Sequence, residues 1–106
     1  MDFIGKIEDD EKIKSEREIV IYGTGKMGKK LFEILQVNKQ ENHVKAYCDS
    51  NKEKWGTSVN GKEVLSLVEA SKLYPDAAYL VGSCCVRQMV EELQKYNIQK
   101  IHIARC

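Results

Sequence analysis

Residues 18–28 read Glu18-Ile19-Val20-Ile21-Tyr22-Gly23-Thr24-Gly25-Lys26-Met27-Gly28. The first five read as a strand, and the four after Glu18 are β-branched or apolar on both alternating faces, the pattern of a parallel strand covered by helices on either side. The strand runs straight into Gly-x-Gly-x-x-Gly. After the glycines, Met27, Leu31, Ile34 and Leu35 recur at i, i+4, i+7 and i+8, which predicts an amphipathic helix ending near Gln36 to Asn38. A glycine string between a strand and a helix has a physical meaning that the string alone lacks. Gly23 permits the sharp exit from the strand, Gly25 lets a pyrophosphate approach the backbone, and Gly28 lets the helix lie close to the sheet. The unpaired amides and the dipole of the helix's first turn then favour an anion.

Working outward, a polar loop from Asn38 to Asn42 leads to a second strand, Val44-Lys45-Ala46-Tyr47-Cys48, which ends at Asp49. Asn60-Gly61 signals a tight turn with room for only a very short hairpin. Val64, Leu67 and Val68 suggest a short helix, stopped by Tyr74-Pro75. Ala77 to Gly82 reads as the third long strand. Val86, Met89, Val90 and Leu93 form the best-patterned helical stripe, stopped at Asn97, and Lys100 to Ala104 is the last strand. Strands alternating with helices predict an α/β fold with a parallel sheet and right-handed crossovers. The expected order of the four long strands is 2-1-3-4, with a short extra strand or hairpin allowed. Residues 1–16 are read as an N-terminal helix or arm, on a weak stripe of Phe3, Ile4 and Ile7, and residues 17–106 as one domain. The order ends on a strand with no closing helix, the expectation for part of a longer protein. That last strand is also an open edge through which a second copy could pair.

Composition narrows the function classes. With 106 residues there is room for one domain and none for a separate substrate domain. Seventeen basic residues against 16 acidic ones, a net charge of +1, lack the excess expected of a phosphate-backbone binder, so no nucleic-acid partner is expected. No run approaches the ~20 apolar residues that span a bilayer, and the first residues lack the layout of a secretion signal. A cytoplasmic protein without a membrane partner is expected. The four cysteines, Cys48, Cys84, Cys85 and Cys106, form no C-x-x-C pair and are taken as reduced thiols, and no metal site is expected.

Three places carry candidate chemistry. The first is the loop itself: Gly23, Thr24, Gly25, Lys26, Met27 and Gly28. Lys26 adds positive charge at the rim or is simply solvated, and Met27, like Met89, suits the core. The second is Asp49 with Ser50. Asp49 lies 21 positions after Gly28, a spacing at which a carboxylate accepts hydrogen bonds from a ribose diol and repels a 2′-phosphate; the alternative is that it starts a turn through Ser50-Asn51. The third is Gly82-Ser83-Cys84-Cys85, where the third strand ends beside the first, at the crevice in which open sheets bind ligands. A helix N-terminus lowers the pKa of a thiol such as Cys84, but no histidine lies nearby in sequence as its base. Trp55 covers a base or caps the sheet edge.

The strings I-Y-G-T-G-K-M-G-K-K-L from Ile21, V-K-A-Y-C-D-S-N-K-E-K-W-G from Val44, N-G-K-E-V from Asn60 and A-Y-L-V-G-S from Ala78 together resemble one domain type. It is the Rossmann-like nucleotide-binding N-terminal domain of bacterial polysaccharide-biosynthesis proteins of the nucleoside-diphosphate-sugar epimerase/dehydratase group, with similar small domains ahead of the β-helix in sugar-nucleotide acyltransferases. The resemblance runs from about Ile19 to Ile103 and implies a three-layer Rossmann-like sheet that binds NAD(H) or a nucleotide-diphosphate sugar. It also implies that the chemistry belongs to a partner domain. The Tyr-x-x-x-Lys pair of the full enzymes is matched in spacing by Tyr22–Lys26 and Tyr96–Lys100, but neither lies within a single predicted helix facing a pocket. No catalytic residue is therefore assigned. The alternatives are a fragment of a sugar-nucleotide dehydratase, epimerase or transferase, and a non-catalytic dimerisation or interaction domain.

Overall fold

A computed structural model describes residues 2–4, 16–82 and 86–104. The strands are β1 (Asp2–Ile4), β2 (Ile19–Tyr22), β3 (Val44–Cys48), β4 (Ser58–Val59), β5 (Lys62–Leu65), β6 (Ala78–Gly82) and β7 (Ile101–Ala104). The helices are α1 (Lys26–Val37), α2 (Leu67–Leu73) and α3 (Val86–Lys95). The sheet order is β1-β7-β6-β2-β3-β5-β4, parallel throughout except for the β4–β5 hairpin. The α/β class and the Rossmann-like layering are as expected, and the four long strands lie as expected, β3-β2-β6-β7. The short hairpin allowed at the Asn60-Gly61 turn is present as β4–β5, and the sheet gains one unexpected strand, β1, beyond the last long one.

The three layers follow from the period of two along the strands. Ile19 and Ile21 of β2, with Ala78 and Leu80 of β6, face α1 and pack with Leu31, Phe32 and Leu35. Val20, Tyr22, Tyr79 and Val81 face the other way, toward Leu67, Ala70, Val90 and Leu93 of α2 and α3. Every residue of β2 and β6 is buried, which is why both read as continuous apolar runs. Strand β3 breaks the alternation. Ile19 pairs with Val44 and Val20 with Ala46, so Lys45 is the extra residue of a bulge. Val44 and Tyr47 therefore lie on the α1 face, with Ala46 and Cys48 on the opposite one, and Lys45 is left exposed.

Two expectations change at the edges. Lys62–Leu65 is a strand: after the Asn60-Gly61 turn, with φ of 52° and 77°, the chain pairs Tyr47 with Val64 and Cys48 with Leu65 in parallel. The expected short helix begins only at Leu67, where the Ser66 hydroxyl accepts the Glu69 amide at 3.1 Å. The second change is at β7, which is not an open edge. Asp2–Ile4 runs parallel to it, pairing Asp2 with His102 and Ile4 with Ala104, so the expected route to a dimer through the last strand is already filled. Residues 5–15, the rest of the expected helix or arm, lie outside the described residues. Among the described residues, no helix is long and apolar enough to cross a membrane.

Gly28 is where the sheet, the loop and α1 meet. A Cβ there would lie 2.0 Å from the Gly23 carbonyl oxygen and 3.7 Å from Ile21. Backbone cannot yield as a flexible side chain does. Gly28→Ala should therefore destabilise the protein by about 1–3 kcal/mol, the range for overpacking, read as a lower urea midpoint at unchanged m-value.

Candidate functional site

The loop leaves β2 with Gly23 at φ 106°, a conformation that side chains rarely adopt. Its amide donates to the Cys48 carbonyl at 2.7 Å, and the next residue is held to the same strand end. The Thr24 amide (3.0 Å) and hydroxyl (2.7 Å) both donate to Oδ2 of Asp49. Oδ1 of Asp49 accepts the Asn51 amide at 2.9 Å, and its main-chain oxygen accepts the Trp55 indole N–H at 2.7 Å. Asp49 thus stands at the expected place, and its carboxylate both braces the glycine loop and starts the Ser50-Asn51 turn.

Gly25 is the N-cap of α1, in extended backbone and with no side chain to cap the helix; no acidic residue lies in the first turn. Among the described residues, a Cβ on Gly25 would meet nothing within 4 Å. Intrahelical acceptors run out for the first amides of a helix, and Gly25 is the residue at that end. Lys26 is exposed beside it. Gly82 is packed rather than open: a Cβ there would lie 2.2 Å from Cγ of Met27, so Met27 lies over the end of β6. Ser83, Cys84 and Cys85, also singled out in the sequence, lie outside the described residues, as does Cys106. The remaining cysteine, Cys48, is buried with its thiol pKa pushed up by burial and then by Asp49, the opposite of a reactive thiol.

Beside the loop, a cavity of about 480 Å³ opens at the carboxyl ends of the strands, between α2 and α3. Tyr22, Asp49, Ser50 and Trp55 form one side. Ser66 to Val68 form the second, and Gln88, Met89 and Glu92 of α3, with Tyr96 just beyond its end, the third. Met89 links cavity and loop, since its Cε lies 3.7 Å from where a Cβ on Gly23 would be. Of the residues expected at the site, Asp49 and Ser50 line this space, while the glycine loop borders it. The α3 wall was not anticipated. Its signal was present: Gln88, Glu92 and Tyr96 recur every four residues, a polar stripe beside the apolar one. The lining described holds two carboxylates, Asp49 and Glu92, and no lysine or arginine.

Tyr22 records that charge. Its hydroxyl pKa is pushed up to about 12, first by burial and then by Cys48, Glu92, Asp49 and Tyr96. The folded state holds this proton to about 12, whereas the unfolded chain releases it near 10.0. Between those values the native state binds more protons, so stability present below the lower value is lost as pH rises through the window. Urea midpoints followed from about pH 9 to 12 should fall, and Tyr22→Phe should flatten the fall.

Comparison with known proteins follows the fold. A structure of RSP, a Rex-family repressor, matches with a TM-score of 0.61 at 13% identity, covering 86% of this chain and 53% of that one. RSP in complex with β-NADH gives the same values. RSP in complex with β-NAD+ and operator DNA has the same score and identity, with 51% of that chain covered. The chain spans about half the length of these structures, and at such identity the likeness is one of fold. It still corrects the expectation of no nucleic-acid partner. The same fold occurs in a protein solved on operator DNA, and contacts to DNA depend on where lysines and arginines stand rather than on whole-chain charge. The resemblance to polysaccharide-biosynthesis domains holds for the Rossmann-like fold and is not supported beyond it, because a glycine loop at a strand-to-helix junction is common to many functions of that fold. No curated protein gives a significant match. The family described as C2185-like, N-terminal, matches residues 15–104, and the chain belongs to it.

Proposed function

We propose that this domain is a nucleotide-binding module whose ligand is NAD(H), with the diphosphate at the Gly23–Gly28 loop and the adenosine half in the adjoining cavity. The observation that carries the reading is the contrast within the motif: Gly28 is packed against backbone, whereas among the described residues nothing lies within 4 Å of a Cβ on Gly25. An open, uncapped helix N-terminus is what an approaching anion needs. The cavity's size falls in the range of small-molecule sites, and Trp55, 39% exposed, offers a face for the base. Gly23, Thr24, Gly25, Lys26, Met27 and Gly28 form the anion side, Asp49 and Ser50 the nucleoside side, and Gly82 the end of β6 between them. The choice of a nicotinamide dinucleotide is supported by the complexes of RSP with β-NADH and β-NAD+. A nucleotide-diphosphate sugar, the other ligand expected from sequence, has the same diphosphate and serves as the competing arm. Bound NAD(H) supplies a hydride redox couple; the chain's own residues bind and orient it, and none is assigned a catalytic role.

Trp55 is the chain's only tryptophan, so energy transfer from it to NADH reports binding at this cavity. NADH should give a saturable signal with a dissociation constant on the order of micromolar, about −8 kcal/mol. Gly25→Val should weaken binding by more than about tenfold, ~1.4 kcal/mol, at an unchanged melting temperature. Saturation by UDP-sugars alone would replace the dinucleotide, and no response to any nucleotide at about millimolar, ~4 kcal/mol of binding, would end the reading.

A further inference from the structure

Two carboxylates border the cavity, and they are not equivalent. A carboxylate has about four acceptor positions. Three of Asp49's are filled from within the protein: two on Oδ2 by Thr24 and one on Oδ1 by the Asn51 amide. A ribose diol needs two acceptor positions, and taking the second at Asp49 would displace either a Thr24 bond that holds the glycine loop or the Asn51 amide that holds the following turn.

Glu92 is differently placed. It comes from the middle of α3, with Gln88 one turn before it and Tyr96 one turn after it on the same cavity wall. Its Oε1 accepts from Lys95 at 3.2 Å, in a pair whose side chains are 39% and 67% exposed. Exposed pairs of this kind are held by no more than about 1 kcal/mol, and among the described residues its other oxygen makes no bond. Both carboxylates line the same cavity as Tyr22 and contribute to raising its pKa. The described lining holds no lysine or arginine, and the cation bonded at this wall is Lys95 on Glu92.

Resting on the nucleotide-binding reading, we propose that Glu92 is the specificity-determining residue of this site. It accepts the ribose hydroxyls of the adenosine half and rejects a 2′-phosphate, while Asp49 positions the glycine loop. The site therefore takes NAD(H) and excludes NADP(H). A 2′-phosphate would bring a further anion against the Glu92 carboxylate, whose bonded cation, Lys95, is mostly exposed, whereas a 2′-hydroxyl donates to it.

The test compares NADH and NADPH affinities, by energy transfer from Trp55, in the wild type, Glu92→Gln and Asp49→Asn, with melting temperatures alongside. The wild type should prefer NADH. Glu92→Gln should weaken NADH, spare NADPH and so shrink the affinity ratio by about tenfold or more, the worth of one hydrogen bond to a charged group, with the melting temperature unchanged. Asp49→Asn should lower the melting temperature and leave the ratio near the wild-type value. An unchanged ratio in Glu92→Gln, or a ratio lost in Asp49→Asn at constant melting temperature, overturns the assignment while the nucleotide reading stands. A wild type that binds neither cofactor overturns the nucleotide reading and this one with it.

Discussion

Consecutive residues of the glycine loop are bonded to consecutive residues at the end of the neighbouring strand. Gly23 donates to the carbonyl of Cys48, and Thr24 donates twice to the carboxylate of Asp49. Bonds to an ionised acceptor are stronger than neutral ones, and these are partly shielded from water. Asp49 also donates its amide to Leu65 at 3.1 Å and receives the Trp55 indole. One residue therefore ties together the loop after β2, the end of β5 and the aromatic side chain at the cavity mouth. The loop's shape is set before any ligand arrives, so little ordering free energy is lost on binding.

The site that results has two ends of opposite electrostatic character. The N-terminus of α1 presents partial positive charge at an uncapped, open position. The cavity next to it presents carboxylates and hydroxyls among aromatic and aliphatic walls. A free anion suits only the first and an uncharged nucleoside only the second. A molecule with a charged middle and a donor-rich end satisfies both, and the side chain of Met89 marks where the two meet.

What the sequence made legible is what depends on local pattern. The order of the long strands follows from apolar runs alternating with helical stripes, and the glycine string placed the loop because it sat between one of each. The features missed depend on tertiary pairing. Strand β5 pairs only Val64 and Leu65 with β3 and begins with the polar Lys62-Glu63, too short and too mixed to read as a strand. Strand β1 is three residues long, and its partner lies at the other end of the chain. At Asp49 the spacing gave the position but not the direction of the carboxylate, which is set by Thr24. On α3 the stripe identified Met89 as apolar, but no periodicity tells what lies opposite Glu92.

The register of Asp2 with His102 bears on how the molecule is made. Joining residues so far apart adds little to the equilibrium cost of folding, because closure entropy grows only logarithmically with span. It does delay the event, since non-local contacts form late. Within this sheet β1 precedes β7 by almost the whole domain, so on the ribosome it waits for its partner. Until it docks, β7 presents a bare row of amides and carbonyls to other nascent chains. Strand β1 thus closes the sheet beside β7, covering a strand edge that would otherwise be bare.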